Sequence, residues 1–344
     1  MKKINGLNRG INLGGWLSQC VHTQEHYASF ITEEDFARIA QMGFDHVRLP
    51  IDCEVIEAHD GTDRPAGYGF IDMAVKQSAA NGMKLIIDLH KAYGYDFNDA
   101  GDAERNNLFT NETLQERFMS MWEKLAQHYG TCEHVFFELL NEVVETENND
   151  AWNTLVEKVI ARIRAIAPQR PIIYGGIMWN SASTLKLLRK PIFDNVIYTF
   201  HFYEPLIFTH QKAPWVKNMD MEKTVNYPAD MDYYRAHSAQ LGNQGETAVR
   251  SEAQTMGEEF IAKLMQEAID AAEAADVPLY CGEFGVIDRA PVEDTLRWFV
   301  DMDNTFRRFD IGCAVWSYKK MDFGIIDEHY APIYDRLLAT WFRK

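Results

Sequence analysis

The sequence predicts an α/β protein, a (β/α)8 TIM barrel with a small inserted subdomain after the sixth strand. Three observations carry that reading. Short runs that are apolar on nearly every residue recur along the 344 residues, as expected of parallel strands covered on both faces. Amphipathic segments at helical spacing separate them, the alternation of a sheet with crossover helices. The runs number eight, where an open doubly wound sheet has about five to seven strands and eight closes a barrel.

The strand candidates in order are "GLNRGINLGG" (6–15), "FDHVRLP" (44–50), "MKLIIDLH" (83–90) and "HVFFELLN" (134–141), then "PIIYGG" (171–176), "NVIYTFHFY" (195–203), "VPLYCGEFG" (277–285) and "IGCAVWSY" (311–318). Between them, "TEEDFARIAQMG" (32–43) has Thr32 as N-cap, acids in its first turn and Gly43 as its stop. The stretch 112–130 places Leu114, Phe118, Met121, Trp122 and Leu125 on one helical face. Helical patterns at 151–167, 258–275, 292–309 and 332–342 complete the set. One segment breaks the rhythm. About fifty residues, near 204–255, follow "TFHFYEP" before the next good helix, too long for an ordinary loop. It reads as an inserted subdomain on the C-terminal rim. Trp215, Tyr227, Tyr233 and Tyr234 are expected to form a mini-core there or a substrate wall.

Composition narrows the function. The chain is 47% hydrophobic and 25% charged, with net charge −17. That is ample for a large core, and it argues against a nucleic-acid binder, which needs a basic face. It argues equally against an anionic membrane surface, whereas a neutral substrate is indifferent to it. Cys20, Cys53, Cys132, Cys281 and Cys313 are odd in number and form no C-x-x-C pair, so they read as small buried residues in a reducing compartment. The first residues lack the apolar core of a signal peptide, and no run reaches a membrane-spanning length. The expected location is cytoplasmic, unless another route exports the chain or a leader has been removed. A monomer is expected.

An active site in such a barrel lies at the carboxyl ends of the strands. Strand 1 is followed by Trp16. Strand 2 ends with Arg48, strand 3 with Asp88 and His90, and strand 4 with Asn141 and Glu142. Strand 6 ends with His201 and Tyr203, strand 7 with Glu283, and strand 8 with Trp316. Singly, each has an ordinary structural explanation. Together at one end, strand after strand, they make a poor core and a good cleft. Glu142 and Glu283 are carboxyls on different strands, the minimal machinery for hydrolysing a glycosidic bond: one donates a proton while the other attacks or activates water. Arg48 is placed to hold Glu283 ionised. Glu138, deeper on strand 4, reads as an interior acid held by a basic or hydroxyl neighbour.

Three motifs are decoys. "HTQEH" (22–26) fits the H-x-x-E-H zinc pattern, but falls in a loop without a clear third ligand. "MDFGI" (321–325) carries D-F-G with neither a Gly-rich loop nor H-R-D. "NLGGW" is not G-x-G-x-x-G.

"GINLGGWL", "FDHVRLP", "IIDLH", "FELLNEV", "FHFY", "YCGEFGV" and "AVWSYKKMDFGI" resemble glycoside hydrolase family 5 (clan A), in order and over essentially the whole chain, and within it the bacterial endoglucanase C type. The resemblance implies a retaining endo-β-1,4-glucanase acting on cellulose-type or mixed-linkage β-glucan without metal or organic cofactor. It makes Glu142 the acid/base and Glu283 the nucleophile, gives Asn141 the sugar 2-hydroxyl and has Arg48 orient Glu283. His90, His201 and Tyr203 complete the polar shell, with Trp316 the platform under the reacting sugar. Trp16, Trp179 and Trp215 are further candidates for stacking on sugar. Two departures stand out. Lys91 follows His90 where many members have a second histidine, and Val143 stands where many have proline. The rival readings are another family 5 specificity (mixed-linkage glucanase, mannanase, xyloglucanase or exo-β-1,3-glucanase), a non-catalytic carbohydrate-binding barrel, and a metal-dependent barrel hydrolase sensitive to chelators.

Overall fold

Period-two alternation along a strand decides what each stave of a barrel can do: one set of side chains faces the helices, the other fills the interior. The computed structural model, which describes residues 2–343, has eight strands. These are β1 (Arg9–Asn12), β2 (His46–Asp52), β3 (Lys84–Lys91), β4 (Val135–Glu138), β5 (Ile172–Gly175), β6 (Val196–Phe202), β7 (Leu279–Phe284) and β8 (Gly312–Val315). They pair in parallel, in sequence order, and β8 closes on β1. The expected (β/α)8 barrel is what the chain forms.

Outward residues such as Val47, Leu49, Leu85, Ile87, Val135 and Phe137 are buried in one large core with Trp122, Trp152 and Trp298 of the surrounding helices. Each fully buried aliphatic side chain there contributes about 1.5–3 kcal/mol. The inward set begins at the bottom with a separate apolar plug: Leu7, Ile86, Phe136, Ile173, Ile197, Tyr280 and Ala314. Two residues further along β3, β4 and β6, the inward positions turn polar, at Asp88, Glu138 and Thr199.

The helix Glu33–Met42 starts and stops as expected. The Asp35 carboxylate accepts the Thr32 N–H at 2.9 Å, and Gly43 takes the left-handed φ of 104° that ends it. The other helical patterns appear as Glu112–Tyr129, Asn149–Ile166, Glu258–Ala275, Val292–Phe309 and Tyr334–Trp341. Two features differ from expectation. Pro65–Ala80 is a helix with Pro65 in its first turn, hidden in the sequence because three of its early positions are Pro65, Gly67 and Gly69. After β5 there is no α-helix, only the 3-10 turn Ala182–Leu187. Met178, Trp179 and Asn180 all take left-handed φ, which uses the short connection for a loop instead.

Between β6 and Glu258 the chain forms short helices at Leu206–Thr209, Met231–Ser238 and Glu246–Arg250. Tyr227 and Tyr234 are buried, and Tyr227 O–H donates to Asp301 at 2.8 Å, tying the segment to the helix Val292–Phe309. Tyr233 is half-buried against His237, and Trp215 is 53% exposed. The five cysteines are free thiols. Cys53, Cys281 and Cys313 are buried, while Cys20 and Cys132 are only partly so. Among the described residues no helix is long and apolar enough to cross a membrane.

Candidate active site

Arg48 is fully buried and points into the barrel above the apolar plug. Its five N–H groups are all used. Nε and Nη2 donate to the two oxygens of Glu138 at 2.7 and 2.9 Å, Nη1 to Asn12 Oδ1 at 3.0 Å and Glu283 Oε1 at 2.7 Å, and Nη2 also to Asn141 Oδ1 at 2.8 Å. Asp88 Oδ2 lies 3.0 Å from Nη2. One guanidinium thus serves three carboxylates, Glu138, Glu283 and Asp88, in a fork geometry that lysine could not supply. Burial, only partly offset by Arg48, pushes Asp88 up to about 7 and raises Glu138 as well. Glu138 is the held interior acid that the sequence suggested.

Glu283 reaches this group through a break in strand register. From Tyr280 inward, strict alternation would aim residue 283 at the helices. The pairing of β7 with β8 shifts between Cys281 and Phe284, and His201 pairs with Glu283. A bulge re-aims a side chain in this way. Gly282 permits it, because a Cβ there would stand 3.0 Å from Thr199 Oγ1 and 3.2 Å from His201 Nε2. Tyr203 O–H donates to the second oxygen of Glu283 at 2.8 Å.

Glu142 faces Glu283 from the loop beyond β4, with one oxygen of each within 4.8 Å of the other. Its Oε1 lies 2.7 Å from His201 Nδ1, whose distance to Glu283 Oε2 is 3.6 Å. Burial lifts Glu142 to about 7, with His90 and Arg48 opposing, and burial drops His201 to about 4, leaving a neutral imidazole between the two acids. Trp316 lies nearly parallel to the His90 ring at 5.8 Å between centroids. Gly14 is in close contact with the indole, since a Cβ there would come within 2.8 Å of it. Of the residues singled out from strand ends, Arg48, Asp88, His90, Asn141, Glu142, His201, Tyr203, Glu283 and Trp316 belong to one connected cluster.

Other expectations fare differently. Trp16 is not a sugar platform: it is completely buried, with its indole N–H donated to the Tyr27 carbonyl at 2.8 Å. Trp179 is half-buried beside Val143, whose carbonyl accepts its backbone N–H at 3.2 Å. Lys91 pairs with Asp96 at 2.9 Å and approaches Asp52 at 3.6 Å. The histidines of "HTQEH" diverge: His22 pairs with Asp52 at 3.1 Å, and His26 meets the Gly15 carbonyl at 2.7 Å. Asn12 escaped sequence reasoning. Its Nδ2 donates to the Gly282 carbonyl at 3.0 Å and lies 3.2–3.3 Å from the Val315 and Ala314 carbonyls, linking β1, β7 and β8 beneath the cleft. The only available signal was a polar residue at an inward position of an apolar run. Among the described residues two groups have ligand atoms close enough to share a metal ion, Glu142–His201–Glu283 and His22–Asp52–Glu54. In each, a cationic side chain already approaches a carboxylate, Arg48 in the first and Lys91 in the second.

A closed barrel with two acids opposed at its strand-end mouth defines a hydrolase of glycosidic bonds, and comparison with known proteins agrees. The family model "Cellulase (glycosyl hydrolase family 5)" matches residues 9–322. Endoglucanase C of Acetivibrio thermocellus is 40% identical over 97% of this chain and 98% of its own. Cellodextrinase A of Ruminococcus flavefaciens is 39% identical over 90% and 85%. The crystal structure of endoglucanase Cel5A from Thermotoga maritima shares the fold, with a TM-score of 0.76 at 24% identity over 98% of this chain and 97% of that one. The chain belongs to glycosyl hydrolase family 5, the cellulase family.

Proposed function

We propose that this protein is a retaining endo-β-1,4-glucanase that hydrolyses cellulose-type or mixed-linkage β-glucan by double displacement. The single observation that carries the reading is the spacing and inequality of the two acids. Their oxygens approach within 4.8 Å, which fits the short carboxyl separation of retaining enzymes, about 5–5.5 Å, and not the roughly 6.5–9.5 Å of inverting ones. Glu283 is held by the Arg48 cation and the Tyr203 hydroxyl, as an ionised nucleophile requires. Glu142 keeps its proton up to about pH 7, as a general acid requires.

In the first step Glu283 attacks the anomeric carbon as the glycosidic C–O bond breaks, and the Glu142 proton passes to the leaving oxygen. Glu142, now a carboxylate, then takes a proton from water. That water attacks the anomeric carbon, the ester to Glu283 breaks, and both acids return to their starting states. Asn141 binds the 2-hydroxyl and Trp316 lies under the reacting ring. The segment 204–255 borders the cleft as a rim subdomain, with His210 edge-on to Tyr203 at 4.8 Å.

Proton NMR during hydrolysis of a β-glucan tests the mechanism: the β-anomer should appear first, and an initial α-anomer would rule double displacement out. Product analysis on carboxymethyl cellulose, lichenan, β-1,3-glucan and mannan tests the specificity. Random internal cleavage of the first two is expected. Cellobiose released only from chain ends would replace the endo reading with an exo one.

A further inference from the structure

His90 stands in the cleft with both ring nitrogens already engaged. Nδ1 is 2.6 Å from Asp88 Oδ2, and Nε2 is 3.0 Å from the side-chain nitrogen of Gln19. An amide nitrogen can only donate, so Nε2 accepts and the ring proton sits on Nδ1, donated to Asp88. Burial holds the ring neutral, with its pKa near 4. In this tautomer His90 has no proton to offer a sugar hydroxyl. Gln19 does: among the described residues its amide has no partner besides His90, so one N–H and the carbonyl oxygen remain, and the residue is partly exposed.

The turn carrying Gln19 is held in place from below. Its φ of 52° is left-handed, a conformation that costs a residue with a side chain. Asp52, completely buried, meets that cost. Its carboxylate accepts from Ser18 Oγ at 2.6 Å and from the Gln19 backbone N–H at 3.1 Å, and it pairs with His22 at 3.1 Å and Lys91 at 3.6 Å. Two hydrogen bonds to a buried anion thus hold the turn that brings Gln19 to His90.

We propose that Gln19 is a substrate-contacting residue. Its amide holds His90 in the Nδ1–H form and presents its remaining N–H and C=O to hydroxyls of the glucosyl unit lying over Trp316, with Asp52 as the positioning residue. The inference rests on the glucanase reading above. The test is made on the full chain. Nitrogen-15 NMR of the wild-type protein should show His90 protonated at Nδ1 and bare at Nε2, and Gln19→Glu, which can only accept at that point, should move the proton to Nε2. Gln19→Leu should lower kcat/KM on cellotetraose about tenfold, the loss of a hydrogen bond or two to an uncharged ligand. Asp52→Asn should lower it less and add little to Gln19→Leu. Wild-type His90 protonated at Nε2 would overturn the proposal, as would Gln19→Leu within about twofold of wild type. If the wild-type protein cleaves no β-glucan, it is the glucanase reading that fails, and the NMR experiment still decides the tautomer.

Discussion

The two ends of the barrel both bury ionisable groups, and they treat them oppositely. At the bottom, Asp45 lies 2.6 Å from His46 Nδ1, His46 Nε2 is 2.7 Å from the Tyr280 hydroxyl, and Arg9 pairs with Asp303 at 2.7 Å. Burial alone would raise Asp45. The hydrogen bond and charge of His46, with help from the Asn8 amide, outweigh it and bring the carboxyl down to about 2. At the top, Arg48 is shared by three carboxylates, and Glu142 has only a neutral histidine beside it, so burial wins and Glu142 rises to about 7. A carboxylate matched with a partner contributes stability. One left short of positive charge gives up some of that stability and keeps a proton available near neutral pH.

Substitutions along the barrel axis should separate these two regimes. The largest effect is expected from Glu283→Ala, with kcat falling on the order of 10⁴–10⁶ while the fold, followed by circular dichroism, is retained. Glu142→Ala should cost on the order of 10²–10⁴ on cello-oligosaccharides and much less on an activated aryl cellobioside. Equal losses on both substrates would remove Glu142 from the acid role. Because donation needs the protonated form, wild-type kcat/KM should fall as pH rises through about 7, a limb that the variant should lack on the aryl substrate. Arg48→Met leaves buried carboxylates uncompensated and should destabilise the protein by about 3–5 kcal/mol in urea melts, with turnover lost as Glu283 is released.

The bottom should behave as pure scaffold. Tyr280→Phe leaves His46 Nε2 without its partner and should cost about 1–3 kcal/mol with kcat and KM unchanged; a large change in kcat would blur the contrast drawn above. The smallest effect concerns Asp45. Its folded pKa is depressed from 3.8 to about 2, so its contribution is present above pH 3.8 and is lost as pH falls toward 2. Tm measured against pH should therefore drop less steeply in that window for Asp45→Asn than for wild type.

Much of the site was legible because a parallel barrel converts sequence into position. Polar residues at the carboxyl ends of apolar runs must converge, which is enough to gather Arg48, His90 and His201 from three separate staves. What escaped detection has local reasons. Trp16 follows β1 as the others follow their strands, yet its ring turns into the core, and nothing in "NLGGWL" distinguishes the two directions. Asn12 and Gln19 are uncharged polar residues in stretches whose glycines and tryptophan attract attention first. The helix Pro65–Ala80 was masked by glycines that weaken a periodic pattern, although buried Tyr68, Ile71, Ala74 and Ser78 keep helical spacing.

By itself the sequence determined the number and order of the staves, the buried face of the helix Glu112–Tyr129, and the end of the barrel at which chemistry collects. Those properties follow from side-chain period and from chain direction, which are local. Only the tertiary structure decided that Glu283 turns inward, because that depends on a register slip between β7 and its neighbours around Gly282. Only it decided that Asp88, Glu138 and Glu142 are raised by burial, and that Arg48 shares one guanidinium among Asp88, Glu138 and Glu283, residues 40 to 235 positions away in the chain.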